Sequence, residues 1–190
     1  ASQKGPTMCL SQGGLLLDNR EKDDFYPTPI SAMIPFFSQE TFDGPVWEPA
    51  CGEGDMSQML DTFGNEVVST DLVDRGYGKT GIDFLMETKL LAPNIVTNPP
   101  YKLAQEFIQK AIDLGAQKHC WLLRLAFLEG VKRFNELYAY NPPARIYVFS
   151  KRQTMIRGDH DEAWYGSGKM AFMWAVWIKD FKGTTELEWI

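Results

Sequence analysis

"VWEPACGEGDMSQMLDTFGNEVVSTD", residues 46–71, is the stretch on which the fold turns. It opens on an apolar run, passes a glycine pair, carries Met56, Met59, Leu60 and Phe63 at helical spacing, and closes on the β-branched run "EVVST" (66–70). Apolar residues at i, i+3 and i+4 mark one face of a helix, whereas a short β-branched run marks a buried strand. The stretch therefore predicts a strand, helix, strand unit whose first strand lies in "PVWEPA" (45–50). Outward from it the alternation continues through "NIVTN" (94–98), a helix from about Leu103 to Leu114 ended by Gly115, and the run "HCWLLRLAFL" (119–128). A helix around Val131 to Tyr138 and the strands "RIYVFS" (145–150) and "MAFMWAVWI" (170–178) follow. Strands and helices alternating at this spacing predict an α/β fold, a mostly parallel sheet with helices on both faces. Such sheets bind ligands at the carboxyl ends of their strands.

The 190 residues, 44% hydrophobic and 23% charged, suit one domain, read as residues 23–190 behind a small, polar, mobile arm over 1–22. The longest apolar runs are about half of what a membrane helix needs, so a soluble, cytoplasmic protein with no membrane partner is expected. Cys9, Cys51 and Cys120 are odd in number and far apart, which suggests neither a disulfide framework nor a metal clamp. A net charge of −6 argues against indiscriminate coating of nucleic acid, which depends on many cationic contacts. Local basic groups remain in Lys132 with Arg133, and in Lys151, Arg152 and Arg157.

In "EPACGEGD", Gly52 and Gly54 permit a tight turn from strand to helix and close approach of a ligand to the backbone. A GxG alone is equally an ordinary turn. Asp71 follows the second strand, 19 residues after Gly52, where dinucleotide-type folds place an acid on a ribose. Position 57 is Ser57 instead of the third glycine of the dinucleotide fingerprint, and no phosphate loop is present. An adenosyl ligand without phosphates fits better than a dinucleotide or a triphosphate.

The third strand ends in "NPPY" (98–101). Prolines fix φ and donate no hydrogen bond, so the carbonyls of Asn98 and Pro99 can be held outward beside the Asn98 amide. Tyr101 adds a flat face. Such a corner suits a planar amine gripped by acceptors and stacked on a ring. "NPPA" (141–144) shares Asn-Pro-Pro but precedes a strand and lacks the aromatic residue, so it reads as a turn.

With these motifs in order, the chain resembles the class I S-adenosylmethionine-dependent methyltransferases, and within them the short phage and prophage type of N6-adenine DNA methyltransferase. The resemblance spans about residues 23–180. It implies a seven-stranded, mostly parallel sheet whose last strand is antiparallel, with "RIYVFS" and "MAFMWAVWI" as the final pair. "DFYPTP" (24–29) resembles the upstream cofactor segment, which implies Tyr26, Pro27 and Thr28 against the methionine part of S-adenosylmethionine. "EPACGEG" resembles the glycine-rich motif, implying cofactor contacts from Glu48, Ala50, Cys51, Gly52 and Gly54, with Asp71 on the ribose. "GIDFL" (81–85) resembles the adenine segment, with Asp83 on the amine and Phe84 beside the ring. "NPPY" is similar to the catalytic signature, which implies catalytic roles for Asn98, Pro99, Pro100 and Tyr101, Asn98 also bordering the cofactor.

Little chain follows residue 180 in which to build a target-recognition region. Target contact is therefore expected from the insertion 151–168, where Lys151, Arg152 and Arg157 are interleaved with Trp164 and Tyr165, or from a homodimer or a separate specificity subunit. Neither the "DHDE" of that insertion nor His119 is read as a metal ligand; His119 opens an apolar strand and reads as structural. The expected partner is DNA. RNA adenine, a protein glutamine and a non-catalytic binding module stay as alternatives.

Overall fold

A computed structural model describes residues 26–153, 155 and 170–190. The proposed arm 1–22, and with it Asp24 and Phe25, lies outside the described residues, as do Arg157, Trp164 and Tyr165. The chain forms a seven-stranded sheet in the order β2-β1-β3-β4-β6-β5-β7, where β1 is Val46–Glu48, β2 Val67–Ser69, β3 Asn94–Thr97, β4 Lys118–Arg124, β5 Arg145–Val148, β6 Phe172–Ile178 and β7 Glu186–Trp189. β1 pairs in parallel with β2 and β3, and β3 with β4; β6 runs antiparallel to both β4 and β5.

Side chains alternate across a strand, so each central strand supplies both faces. Trp47, Ile95, Trp121, Leu123, Met173 and Ala175 pack on one side, with Phe107, Ile108 and Ala111 of helix α3 (Ala104–Leu114). Val46, Val96, Cys120, Leu122, Trp174 and Val176 pack on the other, against α1 (Ile30–Phe37) and α2 (Asp55–Thr62). Near-continuous burial of this kind is what a sheet covered on both faces requires. Trp47, Trp121 and Trp174 are wholly buried, and truncating any one to alanine would cost about 3–5 kcal/mol. No described helix is long and apolar enough to cross a membrane.

Below the sheet, Glu40 ties the amino ends of two strands that flank β6. Its carboxylate accepts from Lys118 Nζ on β4 at 2.8 Å, from Arg145 Nε on β5 at 2.5 Å and from Tyr147 Oη at 2.8 Å. Burial alone would raise this carboxyl, but the bonds from Arg145, Lys118 and Tyr147 outweigh it and hold it below its ordinary value. His119 is buried, stacks on Trp177 with ring centroids 5.7 Å apart, and accepts from Trp121 Nε1 at 2.7 Å, so it is a structural residue.

Three expectations change. The apolar run 119–128 does not stay extended: the strand stops at Arg124, and Leu125–Leu128 curls into a 3-10 turn. The helix around 131–138 begins as α4 (Val131–Arg133) and widens into a π turn over Phe134–Tyr138, where the Ala139 N–H bonds the Phe134 carbonyl at 2.9 Å. β5 and β6 are not the last pair, and the antiparallel strand is the sixth. The seventh, β7, runs parallel to β5 at the sheet edge. Its side chains are all exposed, so the sequence carries no burial pattern for it; its backbone holds it, through Glu186 N–H to Ala144 O and Ile190 N–H to Val148 O, both 3.0 Å.

Candidate active site

The turn after β1 is shaped by its glycines. Gly52 has φ 56° and Gly54 φ 93°, both in the left-handed region where a side chain is strained. A Cβ on Gly54 would also come within 2.5 Å of the Tyr77 ring, so only glycine fits. The Gly54 N–H closes the turn on Cys51 O at 2.8 Å, and α2 begins at once.

Asp71 locks this turn to the end of β2. One carboxylate oxygen accepts from Gly52 N–H and the other from Val73 N–H, each at 2.8 Å. Trp47 Nε1 donates to Thr70 Oγ1 at 2.9 Å, which fixes the residue just before Asp71 to β1. Asp83 caps the 3-10 turn Phe84–Met86, accepting from Leu85 N–H at 2.9 Å. Behind β1, Glu48 hydrogen-bonds Ser57 Oγ, which in turn meets Ser69 Oγ at 2.6 Å. Burial raises the Glu48 carboxyl well above its ordinary value, with the charges of Asp55 and Asp71 adding to the effect and the Ser57 bonds opposing it. Burial, Glu48 and Asp71 push the Cys51 thiol up to about 12, so it stays protonated and inert.

Two cavities meet at the carboxyl ends of the strands. The first, about 280 Å³, is lined by Tyr26, Pro27, Thr28, Glu48, Ala50, Cys51, Asp71, Asp83, Phe84 and Asn98, ten of the twelve expected cofactor residues. Gly52 and Gly54 shape the turn beside it. Phe84 lines this cavity while its ring is buried in the core, 5.1 Å from Trp47 and 5.0 Å from Phe107. Ionisable residues on the wall are Glu48, Glu53, Asp55, Asp71 and Asp83 and, among the described residues, a single base, Arg75. A polyphosphate would meet repulsion there; a cationic ligand with an adenosyl group meets acids, backbone carbonyls and an aromatic ring.

The second cavity, about 470 Å³, is lined by Tyr26, Tyr101, Lys102, Leu123, Arg124, Phe127, Arg133 and Met170 among others. Asn98 borders the first cavity and Tyr101 the second, so the Asn-Pro-Pro-Tyr corner is the wall between them. Pro99 is buried, and Pro100 faces the first cavity.

Asn98 is gripped from upstream. Its Nδ2 donates to the Tyr26 carbonyl at 3.3 Å and to Thr28 Oγ1 at 3.2 Å. A carbonyl only accepts, so the amide has one orientation. Its Oδ1 is left shielded from solvent with no hydrogen-bond partner among the described residues, a situation that costs about 1–3 kcal/mol for a polar atom. The upstream segment therefore does more than border the first cavity. Its Tyr26 ring also stacks on Tyr101, centroids 6.2 Å apart and planes 24° apart.

Sequence reading missed the remaining neighbours of Tyr101. Phe172 lies 5.9 Å away, and the Arg124 guanidinium sits 4.7 Å from the ring centroid, so the flat face expected to be open carries a cation. A charge at the end of an apolar strand was the available signal for Arg124. Lys151 and Arg152 are exposed and line neither cavity.

No sequence-family profile matches this chain, and no curated protein matches it in sequence. Solved structures do match in shape. A protein assigned as an RNA methyltransferase from Pyrococcus horikoshii is 16% identical with a TM-score of 0.56, covering 82% of this chain and 88% of its own. A dimethyladenosine transferase from Plasmodium falciparum is 14% identical with a TM-score of 0.53, over 82% of this chain and 63% of its own. The modification subunit assigned to a type I restriction enzyme from Vibrio vulnificus is 12% identical with a TM-score of 0.51, over 86% and 47%. The strand order, the glycine turn after β1 and these likenesses together give the chain the class I, Rossmann-like methyltransferase fold.

Proposed function

We propose that this protein transfers a methyl group from S-adenosylmethionine to the exocyclic N6 amine of adenine in DNA. The observation that carries the reading is Asn98 Oδ1: a fixed, buried acceptor without a partner among the described residues, on the wall between an acid-lined cavity and an aromatic one. The neighbours of this fold named as methyltransferases support the cofactor, and the type I modification subunit among them supports a DNA substrate.

In this reading Asp71 and Asp83 hold the adenosine part, Thr28, Glu48 and the glycine turn hold the methionine part, and Phe84 backs the ring. S-adenosylmethionine supplies an electrophilic methyl group on a sulfonium. The lone pair of an aromatic amine is delocalised, so the amine is a poor nucleophile until its geometry changes. Asn98 Oδ1 and the Pro99 carbonyl accept its two N–H bonds, favour pyramidal nitrogen and aim the lone pair. Positioning of this kind supplies much of the rate of an in-line displacement, and the surplus proton leaves to solvent. In a duplex the target must first leave the stack, at a cost of a few kcal/mol that contact with the aromatic side chains lining the second cavity partly offsets. Target contacts from Lys151, Arg152, Arg157, Trp164 and Tyr165, and completion of recognition by a second subunit, belong to the same proposal; Met170, the first described residue after that segment, lines the second cavity.

RNA adenine is the second reading, favoured by the RNA methyltransferase neighbour. Labelled methyl transfer onto unmodified DNA, RNA and a glutamine peptide, followed by mass spectrometry of the products, separates them. N6-methyladenine from DNA is expected. Label confined to RNA or peptide overturns the substrate, and no heat on titration with S-adenosylmethionine overturns the enzyme in favour of a binding module.

A further inference from the structure

The chain carries a net charge of −6, yet the second cavity is lined by Lys102, Arg124 and Arg133 and, among the described residues, by no carboxylate. Opposite signs face each other across the Asn-Pro-Pro-Tyr wall, since the first cavity is mainly acidic. Both arginines are held in place by neighbours. Arg124 lies over Tyr101 at 4.7 Å, and Arg133 lies over Phe127 at 4.0 Å while its Nη1 donates to the Phe127 and Glu129 carbonyls at 2.7 and 2.5 Å. In each, the Nε–H is shielded from solvent and meets no acceptor among the described residues. Native proteins rarely leave a buried charged donor without an acceptor.

Rigid guanidinium forks match the oxygens of a phosphate, which can accept two bonds at once. We infer that Arg124 and Arg133 form a phosphate site for the nucleotide chain on either side of the target base, in the cavity that Tyr101 also lines. The inference rests on the proposed function and names its substrate class. A glutamine amide itself brings no anion, so the pair of forks favours a phosphate-bearing strand over a glutamine side chain as the acceptor. Lys132, next in sequence to Arg133, is the contrast: it is exposed, reaches Glu136 at 3.9 Å and lines neither cavity.

The test uses the full chain with S-adenosylhomocysteine present and a fluorescent single-stranded deoxyoligonucleotide containing one adenine, read by anisotropy across a salt series. Arg124→Gln and Arg133→Gln should each weaken binding about tenfold and lower the slope of log Kd against log salt by about 0.7, the value for one phosphate contact on a single strand. Replacing one phosphate beside the adenine by neutral methylphosphonate should weaken the parent equally and leave Arg124→Gln unchanged. Lys132→Gln should match the parent. If Arg124→Gln no longer binds S-adenosylmethionine, Arg124→Lys replaces it, with weaker binding and an unaltered salt slope expected. Unchanged affinity and slope in both arginine variants overturns the site, as does a neutral glutamine peptide whose binding falls on Arg124→Gln. A ribo-oligonucleotide arm decides which strand the site takes. A parent that shows the coupling to Arg124 but transfers no methyl group leaves this site standing and removes the proposed function; methyl transfer with indifferent arginines does the reverse.

Discussion

Asn-Pro-Pro occurs twice in this chain, at 98–100 and 141–143, and the two copies have opposite fates. The second sits before the amino end of β5. Its Asn141 N–H bonds Leu137 O at 2.8 Å, the Asn141 carbonyl accepts from Trp177 Nε1 at 2.9 Å, and the Pro143 carbonyl accepts from Thr185 Oγ1 at 2.7 Å. Each of these groups is spent on holding a turn. The first copy sits at the carboxyl end of β3, where its asparagine is anchored through nitrogen and keeps a buried oxygen unmatched among the described residues. Identical tripeptides thus differ because of which end of the sheet they adjoin: Asn98 and Pro100 line the acid-lined cavity at the carboxyl ends of the strands, whereas Asn141 and Pro142 line a smaller one of about 180 Å³ at the other end. A motif becomes a site through what the surrounding fold leaves unsatisfied.

The comparison breaks most sharply at Asn98. Asn98→Ala should lower kcat/KM for methyl transfer by about 10²–10³-fold, the size typical of deleting one pre-aimed polar contact to a reacting group, while S-adenosylmethionine affinity by calorimetry persists. Next in size is Asp71, which anchors the glycine turn on the active side only. Asp71→Ala strands the Gly52 and Val73 N–H groups, so it should cost about 2–3 kcal/mol in chemical denaturation and weaken the cofactor by more than tenfold.

The opposite end of the sheet should respond to pH. Burial lowers the His119 pKa to about 3, against about 6.5 in the unfolded chain, so between those values the unfolded state binds more protons. The stability held by neutral His119 is present above pH 6.5 and is lost as pH falls toward 3. Between pH 7.5 and 5 the loss is about 2 kcal/mol, and His119→Gln, which cannot titrate but can still accept from Trp121, should remove that share in urea melts at the two pH values. Smallest of all is Asn141→Ala. Its working groups are backbone, so stability should stay within about 0.5 kcal/mol and methyl transfer should equal the parent.

Much of this was legible before any coordinates. Helical spacing located α2 and α3, apolar or β-branched runs located β1 to β3, and the chemistry of glycine, aspartate and the proline pair picked out residues that line or shape the first cavity, because each of those residues acts through its own backbone or its immediate neighbours. Three things were not legible. β7 alternates glutamate with apolar residues yet buries neither, so its pairing comes from backbone bonds to β5 that no side chain announces. Phe84 lines the first cavity, but its burial against Trp47 and Phe107, which converge on it from distant elements, is a tertiary event that its sequence neighbours do not announce. The cation over Tyr101 and the aromatic floor beneath Arg133 depend on the chain curling at Leu125–Leu128 after β4, a tertiary event that a continuous apolar run conceals.

The most direct measurement is a crystal structure with S-adenosylhomocysteine and an adenine-containing oligonucleotide. The account predicts the adenine N6 within about 3.2 Å of Asn98 Oδ1, on the side that faces the sulfur. An adenine amine bound elsewhere, or a sulfur more than about 10 Å from Asn98 and so beyond any near-attack distance, would contradict it.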